Sequence, residues 1–220
     1  MRKNNAIKWG LFTVCLFLLI LSGCSSASSV TFEQMAKWEN GVFVSEFSGF
    51  SVEIPENWSF LSDSEIEEQV EGMDNVIYGT PKVSVEQLQK TDGLYPLIFV
   101  TETQNELEEE SFASAFIIFE RLGSLAKMSV KTADKYLEIL KEGYLEEDAS
   151  GLNYSFEDIY SINIGDVEYR CLPMSVESYQ IKQVFAVRIK DDFVIGLIFT
   201  ATDNHPQLIE DALSAFTALP

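Results

Sequence analysis

One histidine, three cysteines and 35 carboxylates are the side chains through which this 220-residue chain could do chemistry. The histidine, His205, lies in Thr202-Asp203-Asn204-His205-Pro206. A catalytic histidine needs a nucleophile to deprotonate and an acid to orient it, and Asp203 is close to it only along the chain. A loop entering a helix, with Asp203 or Asn204 capping the backbone, accounts for the segment without catalysis. Structural zinc takes four Cys or His ligands, more than this chain offers once its cysteines are assigned. The carboxylates crowd at Glu106, Glu108, Glu109 and Glu110 and again at Glu146-Glu147-Asp148, where a hard cation such as calcium would find oxygen ligands. Neither run has the alternating Asp spacing closed by Gly of a calcium loop, so both read as solvated acidic surface. No pair of carboxylates stands out as a glycosidase acid and base. The residues therefore assign no catalytic, cofactor-binding or metal site, and the expectation is a protein that is not an enzyme.

The most specific chemistry is at the N-terminus. Arg2, Lys3 and Lys8 precede Leu11 to Leu21, an eleven-residue apolar run without a charge, and together they read as the basic and hydrophobic regions of an export signal. A spanning helix takes roughly 20 apolar residues, and Ser22 to Ser29 is small and polar instead. Leu21-Ser22-Gly23-Cys24 resembles a bacterial lipobox. That resemblance implies cleavage between Gly23 and Cys24 and a diacylglyceryl thioether on the Cys24 sulfur, with palmitate-type acyl chains. The expected organisation is a lipoprotein signal peptide over 1–23, a lipidated cysteine and flexible tether over 24–37, and a single domain over 38–220.

Removal of residues 1–23 takes away three basic residues and no acid, so the formal charge moves from -20 to -23. A charge of that sign repels phosphate backbones and excludes nucleic acid as a partner. Two or more acyl chains suffice for stable membrane residence. Anionic headgroups would repel the domain itself, and Ser25-Ser26-Ala27-Ser28-Ser29 lets it stand off. With Cys15 discarded and Cys24 acylated, Cys171 is the one free thiol, so no disulfide forms within a mature chain, and a buried core role is expected for it.

These groups must be carried by a scaffold. Glu39 to Phe47 and Phe50 to Ile54 read as strands, and Ser62 with Glu65 opens a helix whose stripe is Ile66, Val70 and Met73. Leu94 to Thr103 and Phe112 to Leu122 read as strands joined through Gln104 to Ser111. A helix from Ser129 to Glu146 sets Ala133, Tyr136, Leu137, Leu140 and Tyr144 on one face. Period two then takes over through Tyr154 to Ile164, with Gly165-Asp166 turning into Val167 to Met174. Tyr179 to Lys190 and Phe193 to Ala201 form a hairpin apolar at nearly every position, which places them at the centre of a sheet covered on both faces. A last helix starts at Pro206 with Ile209, Ala212, Leu213 and Phe216 as its stripe.

Hairpins in place of βαβ crossovers give an α+β fold, a mainly antiparallel sheet flanked by helices. Gly49-Phe50-Ser51-Val52-Glu53-Ile54-Pro55-Glu56-Asn57-Trp58 resembles the opening strand, Pro and Trp of PsbP-like domains, an α/β/α sandwich found in small bacterial lipoproteins. The Tyr136-Leu137 helix and the C-terminal meander fit the same pattern. The resemblance implies binding rather than catalysis, as in the family's extrinsic subunits of photosynthetic complexes and its GTPase-binding branch, and it carries over no site residue. The resulting expectation is an exported lipoprotein, held at Cys24 on the outer face of the cytoplasmic membrane, or in an outer membrane where the host has one. Its acidic face would meet a basic protein partner. The alternative is a transporter-associated lipoprotein binding a small molecule or cation, with Trp38 and Trp58 as pocket aromatics.

Overall fold

The two strands that are apolar at almost every position hold the middle of the larger sheet. The computed structural model describes residues 35–39, 41–55, 58–60, 97–103, 111–122, 126–147 and 152–219. Among these are strands β1 (Lys37–Glu39), β2 (Val42–Ser45), β3 (Phe50–Glu53), β4 (Trp58–Phe60), β5 (Leu97–Thr103) and β6 (Ser111–Arg121). Helices α1 (Ala126–Ser129) and α2 (Ala133–Glu147) follow, then β7 (Tyr154–Phe156), β8 (Tyr160–Ile164), β9 (Val167–Val176), β10 (Ile181–Lys190) and β11 (Phe193–Thr202). Helix α3 (Gln207–Ser214) and β12 (Phe216–Ala218) close the described chain.

The larger sheet runs β4-β5-β6-β11-β10-β9-β7, with β8 also paired to β9, and a second sheet runs β1-β2-β3-β12. All of the described pairings are antiparallel. Alternation along β6, β10 and β11 splits their side chains between two cores. Phe116, Ile118, Phe185, Val187, Val194 and Ile198 pack under α2 against Tyr136, Leu137, Leu140 and Tyr144. Ile117, Phe119, Ala186, Ile195, Leu197 and Phe199 face the other way, against Phe43, Phe50, Val52 and Phe216 of the small sheet and Ile209 and Ala212 of α3. This is an α+β fold with a mainly antiparallel sheet between two layers. One layer is helical, and the other combines a helix with a small sheet.

Several boundaries differ from the sequence reading, each for a local reason. The domain begins before Trp38, because Met35 and Ala36 are buried and Lys37 pairs with Val44. Ser45 donates its hydroxyl to the Met35 carbonyl (2.8 Å) and accepts from the Ser48 backbone N–H (3.0 Å), which fixes the entering chain to the next turn. Residues 35–37, placed in the tether by the sequence reading, are thus packed and paired with the domain. The span Glu39 to Phe47 is not one strand: Gly41, at φ +84°, turns β1 back onto β2. The helix expected from Ser129 starts at Ala133, where Thr132 Oγ1 accepts from the Lys135 N–H (3.2 Å). Phe216 belongs to β12, paired with Val52 of β3, instead of to the last helix. The expected helix from Ser62 to Met73, and residues 104–110 of the expected connection, lie outside the described residues.

Candidate functional site

His205 does not meet a catalytic partner. Its ring Nδ1 lies 3.2 Å from Gln207 Nε2, while the Asp203 carboxylate is 3.3 Å from Lys182 Nζ. The expected side-chain cap is absent too. Pro206 occupies the N-cap of α3 without a side-chain bond, and the Thr202 carbonyl takes the His205 N–H (3.0 Å). Cys171 is fully buried on β9 in the core facing the small sheet. Burial pushes its thiol up to about 12, with Arg170 and the Tyr160 hydroxyl only partly opposing, so it is held as the unreactive thiol. Trp58 is buried in that same core instead of lining a described pocket. The side chain of Trp38 lies outside the described residues, as do Gly23, Cys24, the Glu106 to Glu110 run, Asp148 and the side chains of Glu146 and Glu147. Among the described residues no group of three Cys, His, Asp or Glu could hold a metal, and no helix is long and apolar enough to cross a membrane.

The buried group that sequence reasoning missed is Glu120. It sits on β6 opposite Val194, on the same face as Phe116 and Ile118, and is 1% exposed beneath α2. Tyr136 donates its hydroxyl to Glu120 Oε2 at 2.5 Å, and among the described residues Oε1 has no hydrogen-bond partner. Burial pushes the carboxyl up to about 7, outweighing the Tyr136 hydrogen bond, which pulls the other way. A signal was available: Glu120 is the one acid inside the apolar run Phe112 to Leu122, and period two puts it inward with Phe116 and Ile118.

The accessible chemistry is at the sheet's end. From Phe156 to Tyr160 the chain takes four steps while its partner β9 takes three, from Met174 to Cys171. The extra residue makes β7 and β8 one strand interrupted by a bulge. The bulge leaves Glu157 and Asp158 exposed, followed by Tyr160 at 40% exposure. Beside them Glu168 Oε1 accepts from the Ser161 hydroxyl at 2.5 Å, and Arg170, which also reaches Ser161, grips the Asp134 carboxylate of α2 (2.5 and 3.3 Å). An acid-bearing bulge discourages indiscriminate strand pairing. It also presents carboxylates and a phenol on a backbone held by β9.

No protein family and no curated protein matches the chain. Solved structures do. The chain is similar to LpqN of Mycobacterium tuberculosis, a protein involved in cell envelope biogenesis, at 15% identity over 78% of this chain and 83% of that one, with a TM-score of 0.41. It is also similar to the cyanobacterial PsbP of Synechocystis sp. PCC 6803, at 14% identity over 89% of this chain and 98% of that one, with a TM-score of 0.40.

Proposed function

We propose that the chain is a non-enzymatic, lipid-anchored binding module of the bacterial envelope, held at the membrane through Cys24 and docking a basic protein partner along its acidic sheet edge. The observation that carries this reading is the bulged edge. Glu157, Asp158 and Tyr160 are exposed there on a strand ordered by its pairing with β9. Supporting it, Cys171 is sealed in the core, His205 pairs with Gln207, and Asp203 is taken by Lys182. Charge of one sign along an edge raises the encounter rate with an oppositely charged partner and makes binding salt-dependent. Tyrosine supplies contact area at the centre of such interfaces.

The test is affinity capture from detergent-solubilised membranes of the native host, with the lipidated protein and a Cys24→Ser control as baits, across a salt series. The expected result is a stoichiometric basic partner on the wild-type bait that weakens as salt rises, together with loss of the Cys24→Ser protein from the membrane fraction. Capture of no stoichiometric partner at any salt would contradict the binding role. Retention of Cys24→Ser in the membrane would contradict the anchor alone.

A further inference from the structure

A carboxyl group sealed under a helix, with one oxygen bonded and the other unpartnered, is bistable with respect to its proton. Glu120 is such a group. The groups around it can be named element by element. Helix α2 contributes the Tyr136 hydroxyl on Oε2, with Tyr144 behind it acting on Tyr136. From β11 the facing residue is Val194, which is apolar. Helix α1 and the residue after it bring Ala126 and Val130 to this core, while Lys127 is turned to Asp192 at 2.6 Å. On β6 itself Arg121 lies over the Phe193 ring, 5.4 Å from its centroid, and Phe193 belongs to the opposite core. No described cation therefore approaches Glu120, and its only described hydrogen-bond partner is a phenol.

We infer that Glu120 is a proton switch that sets how tightly the first turns of α2 dock on the sheet. With the proton on, the carboxylic acid and Tyr136 form a neutral bonded pair inside an apolar interface, and α2 is locked down. With the proton off, an uncompensated carboxylate lies between helix and sheet, where charge is costly. The carboxylate is relieved when the Tyr136 turn lifts enough to admit water. The Asp134–Arg170 pair in that same turn lies at the partly exposed rim, so it keeps the helix attached while the interface beneath it loosens. Burial raises the carboxyl's affinity for its proton and sets the transition near neutrality, within reach of ordinary changes outside the cell. The switch stands whether or not the sheet edge binds a partner.

Hydrogen exchange of the α2 amides in the full chain, followed from pH 5 to 8.5 and corrected for the intrinsic pH dependence of exchange, reads the switch directly. The wild type is expected to lose protection from Ala133 to Leu140 by tenfold or more as pH rises through about 7, a shift of roughly 1.4 kcal/mol. Protection in β10 and β11 should change much less. Glu120→Gln, which keeps the shape and cannot ionise, is expected to give a flat profile. Tyr136→Phe removes the hydrogen bond that favours the charged form, so its transition is expected to move to higher pH. Equal profiles for wild type and Glu120→Gln would overturn the inference, as would a Tyr136→Phe transition that moves to lower pH. Should Glu120→Gln fail to fold, a carbon-13 titration of the Glu120 carboxyl in the wild type decides, and a midpoint below pH 5 would overturn it.

Discussion

Burial pushes the Glu120 carboxyl and the Cys171 thiol the same way, towards the protonated form, with different consequences near neutral pH. Cys171 stays a thiol, since the thiolate would have to form in the core at a value near 12. It is therefore expected to resist iodoacetamide in the native chain at pH 8 and to react only when denaturant unfolds it, as mass spectrometry would record. Glu120 titrates inside the physiological range. Its folded value of about 7 lies above the ordinary glutamate value of 4.5, so the folded chain holds the extra proton between them. The stability contributed by the neutral form is complete below 4.5 and is lost as pH rises through 7, leaving a penalty on the order of 3 kcal/mol above that. Glu120→Gln is expected to raise the urea midpoint at pH 8 and to leave it nearly unchanged at pH 4.5. Glycine matters at one turn above others: Gly165 has φ +59°, and a Cβ there would lie 2.7 Å from the Ala218 backbone. Gly165→Ala is expected to cost about 2 kcal/mol or more, measured by thermal unfolding.

At the scale of elements, α2 is the keystone of one face. Leu137 is fully buried between it and the sheet, and Leu137→Ala is expected to cost roughly 3 kcal/mol in chemical denaturation. The sequence marked this helix and the central hairpin well, because a period of 3.6 and an apolar run covered on both faces leave few alternatives. It marked the ends of elements poorly. Gly41 splits the first strand by a backbone choice that hydrophobic alternation does not register. Phe216 has the spacing of the α3 stripe, yet it pairs with Val52 in a contact made far along the chain. The bulge at Glu157 and Asp158 was invisible for a related reason: alternation through Tyr154, Phe156, Asp158 and Tyr160 is unbroken on paper, and only the partner strand reveals the extra residue. Of the candidate site, the acids and tyrosine were readable as types, but their gathering on a bulged edge required β9.

Across the whole molecule, charge and the proposed anchor together bear on what the domain can meet. A formal charge of -20 over 220 residues, with most described cations paired or stacked internally, leaves a surface that favours basic partners. A lipid at Cys24 would confine that surface near the membrane, so the partner is expected in the same compartment. The edge should then be separable from the fold. Glu157→Lys with Asp158→Lys changes two exposed residues at a bulge, and its unfolding temperature is expected to stay within a degree or two of wild type. The decisive measurement is quantitative capture of the native partner on this double variant beside the wild type, both lipidated, at low and moderate salt. The expected result is a loss of tenfold or more on the variant at low salt, shrinking as salt rises, while both baits remain folded. Equal capture of the same partner by both baits at every salt concentration would contradict an acidic docking edge.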